Sequence, residues 1–238
     1  MAKSKIEWTE SSWNPVTGCS KISLGCENCY AERMAKRLQA MGQQNYKNGF
    51  KVTCHLKVLE YPLKWKKPRI IFVNSMSDLF HEDVPFEFVQ DIFKVMNRAH
   101  WHTFQILTKR PERMLIFADK LNWTPNIWMG VTIESYKYKD RINILREIPA
   151  IIKFISAEPL IEPLGKLDLT NINWMIVGGE SGIGARPMSS SWVEEVKVQC
   201  EKFQIPFFFK QWGGTNKKKT GRILNGKIYN EMPKIAFA

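Results

Sequence analysis

Short apolar segments alternate with amphipathic segments along most of the chain beyond residue 69. Runs rich in β-branched and aromatic residues predict six buried strands, at 70–74, 103–108, 127–132, 151–156, 174–179 and 206–211. Apolar residues recur with helical period between most of them, at 85–99, 111–121, 135–148 and 190–203. Nearly continuous apolar strands that alternate with helices indicate a parallel sheet covered by helices.

Charged or hydroxyl residues follow each of these six strands at its C-terminal end. A β/α barrel builds its site on that face, whereas an open doubly wound sheet gathers its ligand at one switch point. The pattern therefore predicts an α/β fold, a partial (β/α) TIM-type barrel of about six parallel strands. Glu134, Glu158 and Glu180 stand out because three successive strands place a carboxylate within two residues of the strand end.

Two stretches lie outside this alternation. The Asn225-Gly226 pair between RIL and KIY predicts a C-terminal β-hairpin that closes one end of the barrel, within an extension at 215–238. The long connection at 42–69 contains an apolar run at 52–59, which either carries a strand or serves as a lid. We expect residues 1–238 to form a single domain, with a cysteine loop in residues 1–30.

Three of the five cysteines lie within eleven residues, in the stretch WNPVTGCSKISLGCENCY. Six residues separate Cys19 from Cys26, two separate Cys26 from Cys29, and a helix-forming run follows at once. Three thiolates on one loop form a site for a soft metal. Cys200 falls in a helical pattern and is expected to be packed core, while Cys54, next to His55, is less easily placed.

Zinc and an iron–sulfur cluster are the two metal hypotheses for this loop. Structural zinc requires four ligands, usually in paired groups, and only Cys26 and Cys29 form such a pair, so a fourth ligand would have to be His55 or His81. A cubane cluster takes one cysteine for each iron, so three cysteines would leave one iron open to a ligand from outside the protein. The sequence favours the cluster.

The net charge of +12, from 35 basic and 23 acidic residues, favours an anionic partner such as a nucleic acid or a nucleotide. A solvated basic surface explains the same charge equally well. Cations and aromatic residues interleave at 64–69, and a lysine run lies at 217–219. The N-terminus has no apolar signal region and no stretch is long enough to cross a membrane, so we expect a cytoplasmic protein without membrane contact.

Several phrases of the chain occur together in a known family. The chain resembles an uncharacterised family that is common in phages and prophages. The resemblance is carried by five stretches read as a set: IEWTESSWNPVTGCSKISLGCENCYAERMA, ILTKRPERM, FISAEPLIEPL, WMIVGGESGIGARPM and PFFFKQWGG. That family is usually described as similar to the radical S-adenosylmethionine (SAM) superfamily. The resemblance covers nearly the whole chain, from about residue 7 to residue 214 together with the C-terminal tail.

The resemblance implies a [4Fe–4S] cluster on Cys19, Cys26 and Cys29, with SAM on the fourth iron and a 5′-deoxyadenosyl radical formed by reductive cleavage of SAM. It also implies a reductant such as flavodoxin or ferredoxin. Two features depart from the superfamily. The first cysteine gap is six residues instead of three, and the Gly-Gly-Glu sequence that ends at Glu180 comes much later in the chain than its usual place after the second strand.

The remaining site residues are predicted from strand ends in the light of this resemblance. Ser77 and Asp78 are the positional candidates for the amino group of SAM, with Asn74 beside them, and Glu158 is a further candidate for cofactor binding. Lys109, Glu134, Glu158 and Glu180 are the candidate catalytic residues of the barrel mouth. The expected function is a radical SAM-type enzyme acting on a nucleic acid or nucleotide. The alternatives are a non-catalytic nucleic-acid-binding protein with a structural zinc or iron–sulfur site, and a redox protein that does not cleave SAM.

Overall fold

The computed structural model describes residue 4 and residues 6–234. Its strands are β1 (Ser11–Trp13), β2 (Val16–Thr17), β3 (Thr53–Cys54), β4 (Ile70–Val73), β5 (Thr103–Thr108), β6 (Ile127–Thr132), β7 (Lys153–Ala157), β8 (Trp174–Gly178) and β9 (Phe207–Gln211). Its α-helices are α1 (Tyr30–Ala40), α2 (Leu56–Leu59), α3 (Phe86–Arg98), α4 (Pro111–Ala118), α5 (Arg141–Glu147), α6 (Ser190–Phe203) and α7 (Lys217–Thr220).

A curled half-barrel of seven parallel strands forms the centre of the molecule, in the order β1-β4-β5-β6-β7-β8-β9. The α/β partial barrel predicted from the sequence is confirmed, and each of the six predicted strands is present. The seventh strand, β1, was not predicted. It pairs with β4 at the edge of the sheet and leads directly into the cysteine loop. The carboxyl ends of all seven strands therefore lie on the same side as that loop.

The two faces of the sheet are covered differently. On the outer face, alternate side chains such as Ile106, Met129 and Val177 are fully buried against the helices and form the main core. On the concave face a smaller aromatic cluster fills the end that is remote from the cysteine loop. It consists of Trp8, Trp128, Phe154, Trp174, Ile176 and Phe208. The barrel interior is therefore closed at one end and lined by polar strand ends at the other.

The connection at 42–69 carries a strand, as one of the two predictions for it required. Strand β3 pairs with β2 in a small antiparallel sheet, with Cys54 opposite Val16. The predicted turn at Asn225-Gly226 is also present, with positive φ at both residues and backbone bonds of 2.9 and 3.0 Å between Leu224 and Lys227. Its arms are short, and Asn230 then bridges Phe208 of β9.

The segment predicted as one helix over 135–148 is divided in two. A short 3-10 helix at Tyr136–Tyr138 comes first, and α5 begins only at Arg141. Ser135 is buried and its hydroxyl finds no hydrogen-bond partner within residues 4 and 6–234, so it does not cap a helix. Among the residues that the structure describes, no helix has the length and apolar character needed to cross a bilayer.

Candidate functional site

The cysteine loop is attached to the barrel by its backbone. The Gly18 amide donates to the carbonyl of Met76 at 3.0 Å, and the Cys19 amide donates to the carbonyl of Phe50 at 3.2 Å. Gly18 has a φ of +84°, and a Cβ atom there would lie only 2.3 Å from the carbonyl oxygen of Lys51. Only glycine fits this close approach, so Gly18 fixes the point at which the loop leaves the sheet.

The other two cysteines lie on short helical elements. Cys26 ends a 3-10 helix at Leu24–Cys26, and its amide donates to the Ser23 carbonyl at 2.9 Å. Cys29 occupies the position just before α1, and its carbonyl accepts from the Arg33 amide at 3.3 Å. The three thiols thus lie on one connection between the sheet and α1, at the carboxyl edge of the sheet.

A cation lies beside Cys19. The Arg110 Nη1 atom is 3.5 Å from the Cys19 Sγ atom, and its Nε atom donates to Glu82 at 2.9 Å. The Nη2 atom donates to the Ser20 hydroxyl at 2.8 Å. Arg110 therefore contacts two adjacent residues of the cysteine loop from the end of β5.

Asp78 holds this arginine and the end of β5 in place. Its Oδ1 atom accepts from the Thr108 hydroxyl at 2.7 Å and from the Phe80 amide at 3.0 Å. Its Oδ2 atom accepts from the Lys109 amide at 3.0 Å and lies 3.4 Å from Arg110 Nη1. Because both oxygens are engaged and the residue is buried, Asp78 orients the Lys109-Arg110 pair.

A second cation lies beside Cys26. The Lys109 Nζ atom is 3.7 Å from the Cys26 Sγ atom and 2.6 Å from Glu134 Oε1. Glu134 is fully buried, and its Oε2 atom accepts from Arg141 Nη1 at 2.9 Å. The Ser23 hydroxyl also donates to Glu134. A buried ion network thus connects the ends of β5 and β6 to the loop.

The two cations have different effects on the two thiols. Burial, with a smaller contribution from Asp78, raises the pKa of Cys19 to about 11 although Arg110 opposes the shift. Burial also opposes ionisation of Cys26, but the Lys109 ammonium together with hydrogen bonds from Ile22 and Ser23 lowers its pKa. In the metal-free protein Cys26 is therefore the more readily ionised of the two.

A third ion pair ties the end of β8 to the loop. Glu180 accepts from Arg186 Nη2 at 2.6 Å and from the Asn28 side chain at 2.9 Å. Arg186 also donates to the Leu24 carbonyl and to Glu27, both at 2.9 Å. Although burial opposes it, the hydrogen bonds from Arg186 and Asn28 lower the pKa of Glu180. The segment from Glu180 to Arg186 is therefore held to the cysteine loop by hydrogen bonds and ion pairs.

Glu158 and Lys210 form a pair that is separate from the loop. Lys210 Nζ and Glu158 Oε1 are 2.5 Å apart, and neither residue has a contact with the cysteine loop among the described hydrogen bonds and ion pairs. A Cβ atom on Gly178 would lie 3.4 Å from both side chains, which places the pair on the concave face over β8. The Glu158 side chain is 20% exposed, compared with 0% for Glu134 and 4% for Glu180.

Asn74 and Ser77 lie between the loop and the end of β4. The Asn74 side-chain oxygen accepts from the Val16 amide at 3.2 Å, and the Ser77 hydroxyl donates to the Val16 carbonyl at 2.9 Å. Asn74 is buried with φ of +60°, and its Nδ2 atom has no hydrogen-bond partner in the described part of the chain. An unsatisfied donor therefore remains at the end of β4.

No group of three or more His, Cys, Asp or Glu side chains within residues 4 and 6–234 is arranged around a single metal ion. His55 bonds instead to the Thr17 hydroxyl and His81 to the Ser20 hydroxyl, each at 2.8 Å. A cubane takes each thiolate on a different iron, so its ligands need not converge on one point. Three loop thiols with a cation beside two of them suit such an anionic cluster, so the donor set fits.

Parts of this site were not predicted from the sequence. Three residues that bond to strand-end carboxylates were not singled out as site residues, namely Arg141, Ser23 and Asn28. Arg141 lies within the predicted helix at 135–148, and a buried arginine has no signature in a single sequence. The other two lie inside the cysteine motif, which could have drawn attention to them. Cys200 is buried as expected, and its burial raises its pKa to about 12.

Comparison with protein families gives one match over almost the whole chain. The family described as "Protein of unknown function (DUF5131)" matches residues 3–233. The chain belongs to this family. Comparison with curated proteins gives no match.

Among solved structures, spore photoproduct lyase is similar in fold. One of its structures, with bound AdoMet and dinucleoside spore photoproduct, has a TM-score of 0.46 at 11% identity over 80% of this chain and 61% of the lyase chain. Another, a single-residue mutant, has a TM-score of 0.48 at 12% identity over 84% and 63% of the two chains. This chain thus spans less than two thirds of the length of the lyase.

Proposed function

We propose that this protein is a radical SAM-type enzyme, in which Cys19, Cys26 and Cys29 hold a [4Fe–4S] cluster and SAM completes its ligand set. The observation that carries the proposal is the loop itself. It places three thiols at the carboxyl edge of a half-barrel, with Lys109 beside Cys26 and Arg110 beside Cys19. When bound, a reduced cluster of this kind supplies one electron for reductive cleavage of SAM into methionine and a 5′-deoxyadenosyl radical.

Two residues of the chain place positive charge beside the cysteine thiols. Lys109 and Arg110 offset the negative charge of bound thiolates at short range, and their own positions are fixed by Glu134 and Asp78. Because both cations are largely buried, solvent screens these interactions little. Lys109, Glu134 and Glu180, which the sequence suggested as catalytic, are in this proposal positioning residues for the loop.

The end of β4 provides groups for the amino-acid part of SAM. The Ser77 hydroxyl oxygen can still accept a bond from an ammonium group. The unpartnered Nδ2 donor of Asn74 is buried, so it would bond to a carboxylate only after a local shift at the end of β4. Asp78 contributes charge nearby while its oxygens remain engaged with Thr108 and Arg110. Of the candidate carboxylates, we favour Glu158 for contact with SAM or substrate, because it is the most exposed of the three and faces the concave side.

The substrate class and the electron donor are part of the same proposal. The net charge of +12 favours a nucleic acid or nucleotide as substrate. The electron would come from a reductant such as flavodoxin or ferredoxin. The aromatic cluster around Trp8 and Trp174 closes the far end of the barrel, so water would reach a reaction at the mouth only from the mouth itself.

Anaerobic reconstitution with iron and sulfide tests the cluster. We expect a broad brown charge-transfer absorption in the wild-type protein and its loss in the Cys26→Ala variant. The Cys54→Ala variant is the matched control, because Cys54 is a partly exposed thiol on β3, outside the loop. A colourless wild-type protein that retains one tightly bound zinc ion would instead support a non-catalytic nucleic-acid-binding protein.

Incubation of the reconstituted protein with SAM and a reductant tests the chemistry. We expect 5′-deoxyadenosine in excess of that formed by the Cys26→Ala variant. An intact cluster with no 5′-deoxyadenosine above this control, even with oligonucleotides present, would favour an electron-transfer or redox-sensing protein.

A further inference from the structure

An exposed ridge of alternating tyrosine and lysine follows β6 at residues 136–139. Tyr136 is 53% exposed. The Lys139 ammonium lies 3.9 Å from the centre of its ring and donates to its hydroxyl at 2.6 Å, and Gly165 borders one edge of the ring. Lys137 is exposed, with its ammonium 5.8 Å from the Tyr138 ring. We call residues 136–139 the tyrosine–lysine ridge.

The fold holds this ridge at the mouth of the barrel. The Tyr138 hydroxyl accepts from the Leu24 amide of the cysteine loop at 3.4 Å, and the guanidinium of Arg141 lies 4.3 Å from the centre of the Tyr138 ring. Two residues before the ridge, Glu134 bonds to Ser23 of the same loop. The ridge therefore adjoins the candidate cluster site directly.

A groove continues from the ridge across the surface. It has a volume of about 220 Å³ and runs between α5 and the chain around Lys166. Its charged residues include Lys139, Arg146 and Lys166, together with Asp140 and Asp168. Asp168 is paired with Arg146 at 3.0 Å, so these two charges offset each other. The remaining charged residues of the groove are two lysines, Lys139 and Lys166, and one carboxylate, Asp140, so the net charge of its lining is positive.

We infer that the tyrosine–lysine ridge binds single-stranded nucleic acid. A base takes the place of the Lys139 ammonium on the Tyr136 ring, and Lys139 then pairs, together with Lys137, with the backbone phosphates. Sequence-tolerant single-strand binding combines an exposed aromatic ring for each base with cations for the phosphates. In a duplex the faces of the bases are stacked and cannot reach such a ring. The inference depends on the proposed function only in that it names the substrate class for the same barrel mouth.

The two basic segments noted in the sequence do not offer the same surface. Trp65 is buried and contacts Arg69 and His102, so its ring is not open to a base. It also precedes β4 and so lies at the opposite end of the sheet from the cysteine loop. In the lysine run, Lys217 is paired with Glu7 at 3.2 Å. The ridge alone among these three segments joins an exposed ring to cations beside the candidate site.

Fluorescence anisotropy with a labelled oligothymidylate tests the inference on the full-length protein, without SAM or reductant. We expect the Tyr136→Ala variant to bind about 5- to 150-fold more weakly than wild type, and Tyr136→Phe to bind nearly as well. Tyr61→Ala is the matched control, because Tyr61 is 43% exposed and also lies near a lysine ammonium, but precedes β4. Its affinity should equal that of wild type, and a duplex should bind more weakly than the single strand.

The salt dependence of binding provides a second measurement that does not depend on the aromatic variant. Lys137→Ala should reduce the slope of log K against log salt by about 0.7, the contribution of one single-strand phosphate contact. The inference is overturned if Tyr136→Ala binds as tightly as wild type, or if the Lys137→Ala slope is unchanged. It is also overturned if wild type binds no oligonucleotide, whether or not an acidic electron-donor protein binds. Because SAM cleavage is measured separately, either proposal can fail without the other.

Discussion

Gly18 controls where the cysteine loop leaves the barrel, and this makes it a sensitive position. Its φ of +84° is unfavourable for a residue with a side chain, and a Cβ atom would approach the carbonyl oxygens of Lys51 and Phe50 to 2.3 and 2.6 Å. We expect Gly18→Ala to lower the free energy of unfolding by more than about 2 kcal/mol, from backbone strain plus displacement of this segment. Because Phe50 also accepts the Cys19 amide, the variant should hold less iron after reconstitution.

The Gly42→Ala variant separates the two effects expected for Gly18→Ala, which are backbone strain at positive φ and steric clash of the added Cβ atom. Gly42 has a similar φ of +70°, but no atom lies within 4 Å of the position its Cβ would occupy. Gly42→Ala should therefore lower the free energy of unfolding by the backbone strain alone, about 1 kcal/mol, and leave the iron content unchanged. Chemical denaturation and iron analysis compare the two variants. Equal losses of stability with equal iron content would mean that the close approach at Gly18 has no consequence.

At the scale of single residues, the sequence predicted which side chains gather at the strand ends but not how they pair. Glu134, Glu158 and Glu180 were recognisable because each follows a strand. Which cation pairs with which carboxylate could not be read from the sequence. In the structure Glu134 pairs with Lys109 and Arg141, Glu158 with Lys210, and Glu180 with Arg186. Pairing depends on the curl of the sheet, which brings β7 and β9 together across Gly178, and this distance is not encoded locally.

Among the elements, the turn after β8 joins the barrel to the cysteine loop through one carboxylate. Hydrogen bonds from Arg186 and Asn28, acting against burial, hold the pKa of Glu180 below its ordinary value of 4.5. A depressed pKa stabilises the folded state above the unfolded-state value, and this stability is lost as pH falls through the folded-state pKa. Glu180→Gln should therefore be clearly less stable than wild type at pH 7, and the difference should shrink below about pH 4.5.

Urea denaturation of both proteins from pH 7 to pH 3 measures this difference directly. If the difference in free energy of unfolding between wild type and Glu180→Gln stays constant over this pH range, the charge of Glu180 does not contribute to stability, and only its packing and neutral hydrogen bonds do. The Glu32→Gln variant provides a comparison on α1, where a carboxylate with a side chain 23% exposed pairs with Lys36 at 2.8 Å. An exposed pair of this kind should contribute less than about 1 kcal/mol at any pH.

Element prediction succeeded where burial is strong and failed where elements are short. The six predicted strands are apolar along nearly their whole length, so their pattern could be read directly. Strand β1 has only three residues, Ser11–Trp13, too few for a period to be visible. The helix predicted at 135–148 begins too early, because the chain first forms a 3-10 turn that presents Tyr136 to solvent, and α5 begins only at Arg141.

On the scale of the whole molecule, a half-barrel has two open edges, and the N-terminal segment helps to connect them. The side chain of Trp8 lies on the concave face, where its ring contacts Phe72 of β4 at 4.7 Å and Trp174 of β8 at 6.2 Å between ring centres. Its neighbour Glu7 pairs with Lys217, beyond β9. The strands nearest to the two edges are thus joined by one aromatic side chain and one ion pair.

The packing of Trp8 should contribute much more to the free energy of unfolding than the Glu7–Lys217 ion pair. Trp8 is 4% exposed, so Trp8→Ala should lower the free energy of unfolding by about 3–5 kcal/mol through lost burial and a residual cavity. Glu7→Gln removes a partly exposed ion pair and should cost less than about 1 kcal/mol. Trp192→Ala is the control for tryptophan loss, because Trp192 is only partly buried on the outer side, and it should cost less than Trp8→Ala. If the two tryptophan variants were equally stable by urea denaturation, the aromatic cluster would not be what holds the half-barrel closed.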